Sequence, residues 1–150
     1  MEAGDSSEAF AELEAAYFAM EAFLEEERSH LMEVDWAAMA EDMERREALS
    51  ARIAQAEEQR PAWAGALGLG ADATWGDILG PGWEERRDAL RQCAQRVQAA
   101  NEENVRLMQE AYERNERLIG CLTDNSGEPA YSARGEETAT SGSGLLSRKV

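Results

Sequence analysis

Apolar residues recur three and four positions apart along two long stretches of this chain. In the first stretch, Phe10, Leu13, Tyr17, Met20 and Leu24 form a stripe that Leu31 and Val34 continue. Met39, Met43, Leu49 and Ile53 resume it with a shifted phase, the mark of a seam that moves around a helix. No Gly or Pro interrupts residues 6–59, so the pattern predicts one helix of about 80 Å. Asp5-Ser-Ser-Glu8 has the spacing of a capping box at its start, and Pro61 marks its end. In the second stretch, sevens counted from Trp83 reach Leu90, Val97, Asn104, Ala111 and Leu118. The interleaved row holds Arg87, Ala94, Asn101, Met108, Asn115 and Leu122. This predicts a second long helix, 83–122, whose inner face is apolar at both ends and carries three asparagines between them.

Residues 61–82 are glycine-rich yet hold Trp63, Leu67, Leu69, Trp75, Ile78 and Leu79, too apolar for a free linker. Thr74-Trp-Gly-Asp77 has the residues to cap one helical turn. The segment reads as a packed bend, after which the second long helix returns antiparallel to the first. The expected fold is all-α: a coiled-coil-like antiparallel hairpin of two long helices joined by that bend, in a domain spanning 1–126. From 127 to 150 the composition turns to Ser, Gly, Thr, Glu and Ala, the signature of a flexible tail.

A length of 150 residues suits one domain with a modest core, and six methionines with only three prolines favour helix over sheet. The formal charge is −16, which makes nucleic acid and anionic lipid poor partners. It is unevenly spread. Residues 1–60 carry 17 acids and 5 bases, a balance of −12, whereas 83–122 carry 8 and 7, a balance of −1. The first helix therefore presents an acidic face, either a solvated surface or a guide for a basic partner. The acidic N-terminus lacks a signal-peptide pattern, and no apolar run suits membrane insertion. Cys93 and Cys121 lie about 40 Å apart on one predicted helix, too far to bridge. Reduced thiols in the cytoplasm are the simpler account.

No catalytic constellation stands out, and although so Glu-rich a chain could do acid–base work with paired carboxylates, no pair is singled out. The chain has one histidine, no phosphate-binding glycine loop and no nucleophile set against a base. Glu27-Arg-Ser-His30 has the Glu-x-x-His spacing of di-iron bundles, but a second copy would have to come across a two-fold axis. The expectation is no enzyme, no metal and no cofactor. The asparagines are more informative, because a buried amide without partners costs about 1–3 kcal/mol. They either set the register of a permanent seam or mark a face left wet until a helix covers it. Met20, Met32, Met39, Met43 and Met108 either fill the core or line a groove that adapts to a partner helix. The residues singled out for partner contact are Asn101, Asn104, Leu107, Met108, Ala111, Asn115, Leu118, Ile119 and Leu122.

The run Asn101-Glu-Glu-Asn104-Val-Arg-Leu-Met, followed by Asn115-Glu-Arg-Leu118-Ile119, resembles the second long helix of FlgN-type flagellar export chaperones. The order of parts is similar too: a glutamate-rich first helix with Leu24-Glu-Glu-Glu-Arg-Ser-His-Leu31, a variable middle, the asparagine helix, then a tail. In that family the tail begins with a tyrosine and a glycine a few residues on, as in Tyr131-Ser-Ala-Arg-Gly135. The resemblance covers roughly residues 10–135. It implies a cytosolic chaperone that keeps hook–filament junction (hook-associated) proteins monomeric and delivers them to the type III export gate. It further implies that the client's C-terminal helical region binds toward the chaperone's C-terminal part, and that Tyr131 and Gly135 contact the gate. The competing expectation is a structural or adaptor coiled coil that fills its seam by self-association into a homo-oligomer.

Overall fold

The computed structural model describes residues 3–124, with side chains from Ser6 onward. Four helices account for most of it: α1 (Ala3–Glu33), α2 (Trp36–Ala66), α3 (Trp75–Leu79) and α4 (Glu84–Asp124), with no strand among the described residues. The all-α bundle expected from the periodicity is present. The domain limit at 126 and the tail 127–150 lie outside the described residues.

The helix expected over 6–59 is instead two helices folded back on each other at Val34–Asp35. The break uses a Schellman turn: Asp35 N–H donates to His30 C=O at 3.0 Å and Val34 N–H donates to Leu31 C=O at 3.3 Å. Val34 takes the left-handed position, at φ 53°. Asp35 then caps α2 by accepting from Ala38 N–H at 3.1 Å. Left-handed caps are usually Gly or Asn, and a β-branched residue there is strained, so the sequence carries no ordinary stop signal. The shifted phase after Val34 was the visible trace. Folding back brings Leu31 and Met39 into one cluster with Ala111, with Val34, Leu107 and Met108 packed on it.

Pro61 does not end the helix. α2 runs through it to Ala66, at the loss of one backbone donor. The extra turn buries Ala64 and packs Trp63 on the core.

With α2 descending, α4 runs parallel to α1, not antiparallel as the two-helix expectation had it. The register is read from cross-helix pairs: Arg86 with Glu14, Arg96 with Glu21, Arg28 with Glu103, and Asn104 with Glu27. α1 is the central helix, packed against both α2 and α4. It buries two adjoining rows, with Ala9, Ala16 and Phe23 joining Phe10, Leu13, Tyr17, Met20 and Leu24. Ile53 and Ala56 come from α2, and Leu90, Cys93 and Val97 from α4. Burial and the nearby Glu57 push the Tyr17 phenol up to about 12. The bend is packed, as expected. Thr74 and Asp77 form a capping box on α3, and Trp75 and Trp83 close around Phe10 at 5.7 and 6.0 Å between ring centroids.

His30 Nδ1 lies 2.6 Å from the buried Asp42 Oδ2, just below the Val34 turn. The hydrogen bond to Asp42 raises the His30 pKa above its ordinary 6.5. Unfolded His30 titrates near 6.5, so the pair's contribution is complete below that pH and is lost as pH rises through the higher folded value. The melting temperature should therefore fall as the solution is taken from mildly acidic to mildly alkaline. Thermal melts should show this component missing in His30→Gln; an unchanged pH profile in that variant would refute it.

Candidate functional site

The three packed stripes each carry polar residues at one height. On α1 the sequence Met20, Leu24, Glu27, Leu31 is interrupted by Glu27. On α2 the row Met39, Asp42, Arg46, Leu49, Ile53 is interrupted by Asp42 and Arg46, and on α4 Val97 is followed by Asn101 and Asn104. Glu27 and Asn104 are each only 1% exposed. Arg46 clamps the Glu27 carboxylate: Nε donates to Oε2 at 3.0 Å and Nη2 donates to Oε1. Its Nη1 donates to Asn101 Oδ1. The Asn104 amide donates to Glu27 Oε1 at 2.9 Å and to the Leu24 carbonyl at 2.8 Å. The guanidinium groups of Arg45 and Arg46 lie over the Phe23 ring, 5.1 and 5.9 Å from its centroid.

Asn101 and Asn104 thus carry hydrogen bonds across the seam, and Asn104 also lines the open groove between α1 and α4. They belong to a satisfied polar clasp that joins α1, α2 and α4, the register-setting alternative of the sequence reading. Glu27 and His30 do not act together as metal ligands in this arrangement: Glu27 is held by Arg46 and Asn104, and His30 by Asp42. Among the described residues, no group of three or more His, Cys, Asp or Glu side chains is placed to hold a metal ion. Cys93 is buried and donates to Glu21 Oε2 at 3.3 Å; burial first, then Glu21, pushes its thiol up to about 12, so it stays protonated. Cys121 is exposed on α4.

The other residues singled out on α4 divide at Ala111. Ala111 is buried and Leu107 and Met108 are half-buried, all in the cluster with Leu31 and Met39. Beyond Ala111, α1 and α2 have ended at their turn, and among the described residues α4 runs on past them for 13 residues, about 20 Å. On this overhang Leu118, Ile119 and Leu122 are 60%, 53% and 72% exposed, and Asn115 is exposed beside them. Three and four apart, they share one face. Tyr112 opens that face and meets Trp36 at 5.5 Å between ring centroids, both residues partly exposed. Met20 and Met39 fill the core, whereas Met32 and Met43 are exposed. Tyr131 and Gly135 lie outside the described residues.

A separate groove of about 540 Å³ lies between α1 and α4, with Leu24, Ala100 and Asn104 at its floor and Phe18, Glu25 and Arg28 at its edge. Arg96 spans its seam to Glu21, holding that carboxyl below the usual range.

Sequence reasoning missed Arg46 and read Glu27 in the wrong company. The available signal was the coincidence of an acid, a base and two amides within the apolar stripes.

These features define an all-α bundle with coiled-coil seams, clasped by buried polar groups, whose last helix outruns its partners. The family model described as FlgN protein matches residues 1–139, and the chain belongs to the FlgN family, a family of flagellar export chaperones. No curated protein and no solved structure matches it in the same comparisons. Among the described residues, no helix is long and apolar enough to cross a membrane.

The clasp yields a sharp mutational expectation. Glu27→Ala strands Arg46 and Asn104 and should cost about 3–5 kcal/mol in denaturant unfolding. Replacing the whole set together, with Glu27→Leu, Arg46→Met, Asn101→Leu and Asn104→Leu, should recover most of that loss. If the quadruple variant is as unstable as Glu27→Ala, the loss is not one of stranded partners.

Proposed function

We propose that this protein is a cytoplasmic chaperone for hook-associated (hook–filament junction) proteins, and that it takes the client's C-terminal helical region onto the overhang of α4. Membership of the FlgN family supports the chaperone class. The observation that supports the docking place is the exposed Leu118, Ile119 and Leu122 stripe on the part of α4 that, among the described residues, outruns α1 and α2. An amphipathic client helix laid on that face would bury the stripe through its own i, i+3, i+4, i+7 residues. Leu107, Met108 and Ala111 would form the lower edge of the contact, and the Trp36–Tyr112 pair its floor. Methionine at 108 suits an edge that must adapt to different clients. Asn101 and Asn104 serve indirectly, by holding α4 at the register that leaves the overhang projecting.

In this reading the client stays monomeric because the face that it would use for self-association is occupied. Tyr131 and Gly135, in the segment that follows the overhang, would contact the export gate and hand the complex on. The chemistry needed is recognition alone, with no cofactor.

A second reading rests on the same stripe, since self-association would also cover it and would make the protein an adaptor coiled coil. The double variant Leu118→Glu/Leu122→Glu separates them. Exposed positions tolerate such changes with little loss of stability. Titration calorimetry against a hook-associated protein should show client affinity falling at least a hundredfold, with an unaltered circular dichroism spectrum. Unchanged affinity in the folded variant would sink the docking place; a wild-type dimer that ignores client and dissolves in the variant would favour self-association.

A further inference from the structure

The groove between α1 and α4 is framed by two ion pairs that reach from one helix to the other, Arg96 with Glu21 and Arg28 with Glu103. They stand two helical turns apart along α1, and between them lie Ala22, Leu24 and Glu25 on α1 and Ala100 on α4. Phe18, one turn nearer the start of α1, sits at the edge and is 48% exposed. Of the two carboxylates in the lining, Glu21 is held by Arg96, whereas the exposed Glu25 has no basic partner among the described residues. The groove therefore suits an occupant that brings a pair of apolar side chains with a base beside them.

This chain carries such a segment. Leu145-Leu146-Ser147-Arg148-Lys149 lies outside the described residues and joins the sequence's one adjacent leucine pair to its only lysine. Its length of tether fits as well. Ala100 lies 24 residues, about 36 Å, before Asp124 along α4. The 20 residues 125–144 separate Asp124 from Leu145. A chain of 20 residues spans about 66 Å at full extension, and coils of that length average about 25 Å. A tether whose average reach is near the span gives a high effective concentration of its end at the site. We propose that Leu145 and Leu146 dock in the α1–α4 groove of their own chain, over Phe18, Ala22 and Ala100, and that the bases beside them pair with Glu25.

The leucines then cover apolar surface that the bundle leaves open, and two positive charges meet the most acidic part of the chain. The path from Asp124 to the groove runs back along the overhang. Docking and a client seated there would hinder each other, although the docking itself does not rest on that assignment.

The test uses the full chain, dilute and without client. A water-soluble carbodiimide joins an amine to a carboxylate that it touches, and Lys149 carries the only lysine amine. Mapping the cross-linked peptides of the monomer fraction by mass should place the main coupling of Lys149 at Glu25 of the same chain. In Leu145→Ser/Leu146→Ser, which leaves residues 3–124 unaltered, that yield should fall at least tenfold. The amide resonances of Phe18, Ala22 and Ala100 should shift in the same variant, while those of 40–52 stay. Ala22→Arg, a change at an exposed position of the groove, should also lower the yield, with an unaltered circular dichroism spectrum. Coupling of Lys149 spread over the acids of α1 and α2 regardless of the leucines overturns the proposal. So does coupling only between two chains, no coupling at Glu25, or a yield there that the leucine variant leaves unchanged.

Discussion

The Glu27 carboxylate, buried among three helices, is the constraint on which the rest of this structure depends. A charge at that depth is tolerable only when its oxygens are satisfied, and its partners come from opposite sides: Arg46 from α2 and Asn104 from α4. Both partners must arrive at the same height on α1. That requirement fixes the register of two helix pairs at once, which an apolar seam of similar leucines and alanines would leave free to slide. It also explains why α1 is the central helix, although its stripe alone resembles that of any amphipathic helix.

Register has consequences at both ends of the bundle. At one end, α3 and the Trp75–Phe10–Trp83 cluster close the core over the start of α1. At the other, the Schellman turn at Val34 ends α1 and α2 together, while α4, anchored by Asn104, runs on. Leu118, Ile119 and Leu122 are exposed on the overhang, a stripe that suits the proposed docking of a client helix. The acidic face over the first 60 residues is laced by pairs such as Glu12–Arg52 and Glu26–Arg45. Such exposed pairs add little to stability.

Much of this fold was legible in the sequence, and the failures were specific. Heptad spacing placed α4 within two residues at each end, and Thr74–Asp77 announced the short helix of the bend. The turn at Val34–Asp35 was not legible because its left-handed position carries valine where Gly or Asn would signal a stop. One missed turn reversed the inferred direction of α4 relative to α1. Pro61 misled in the other direction, since burial of Ala64 and packing of Trp63 carry the helix past it. The asparagines stood out in the sequence, but only Arg46 and Glu27 reveal that Asn101 and Asn104 close the bundle. Nothing local distinguishes those two from Asn115, which is exposed where α4 has passed the ends of α1 and α2.

The account divides α4 into a permanent part, up to Ala111, and a part that awaits a client. Amide hydrogen exchange along α4, with and without the C-terminal helical region of a hook-associated protein, tests that division most directly. The account predicts slow exchange over 97–111 in both states and new protection over 112–124 on binding. Protection gained chiefly over 97–108, with the overhang unchanged, would mean that the client opens the clasped seam, and would contradict it.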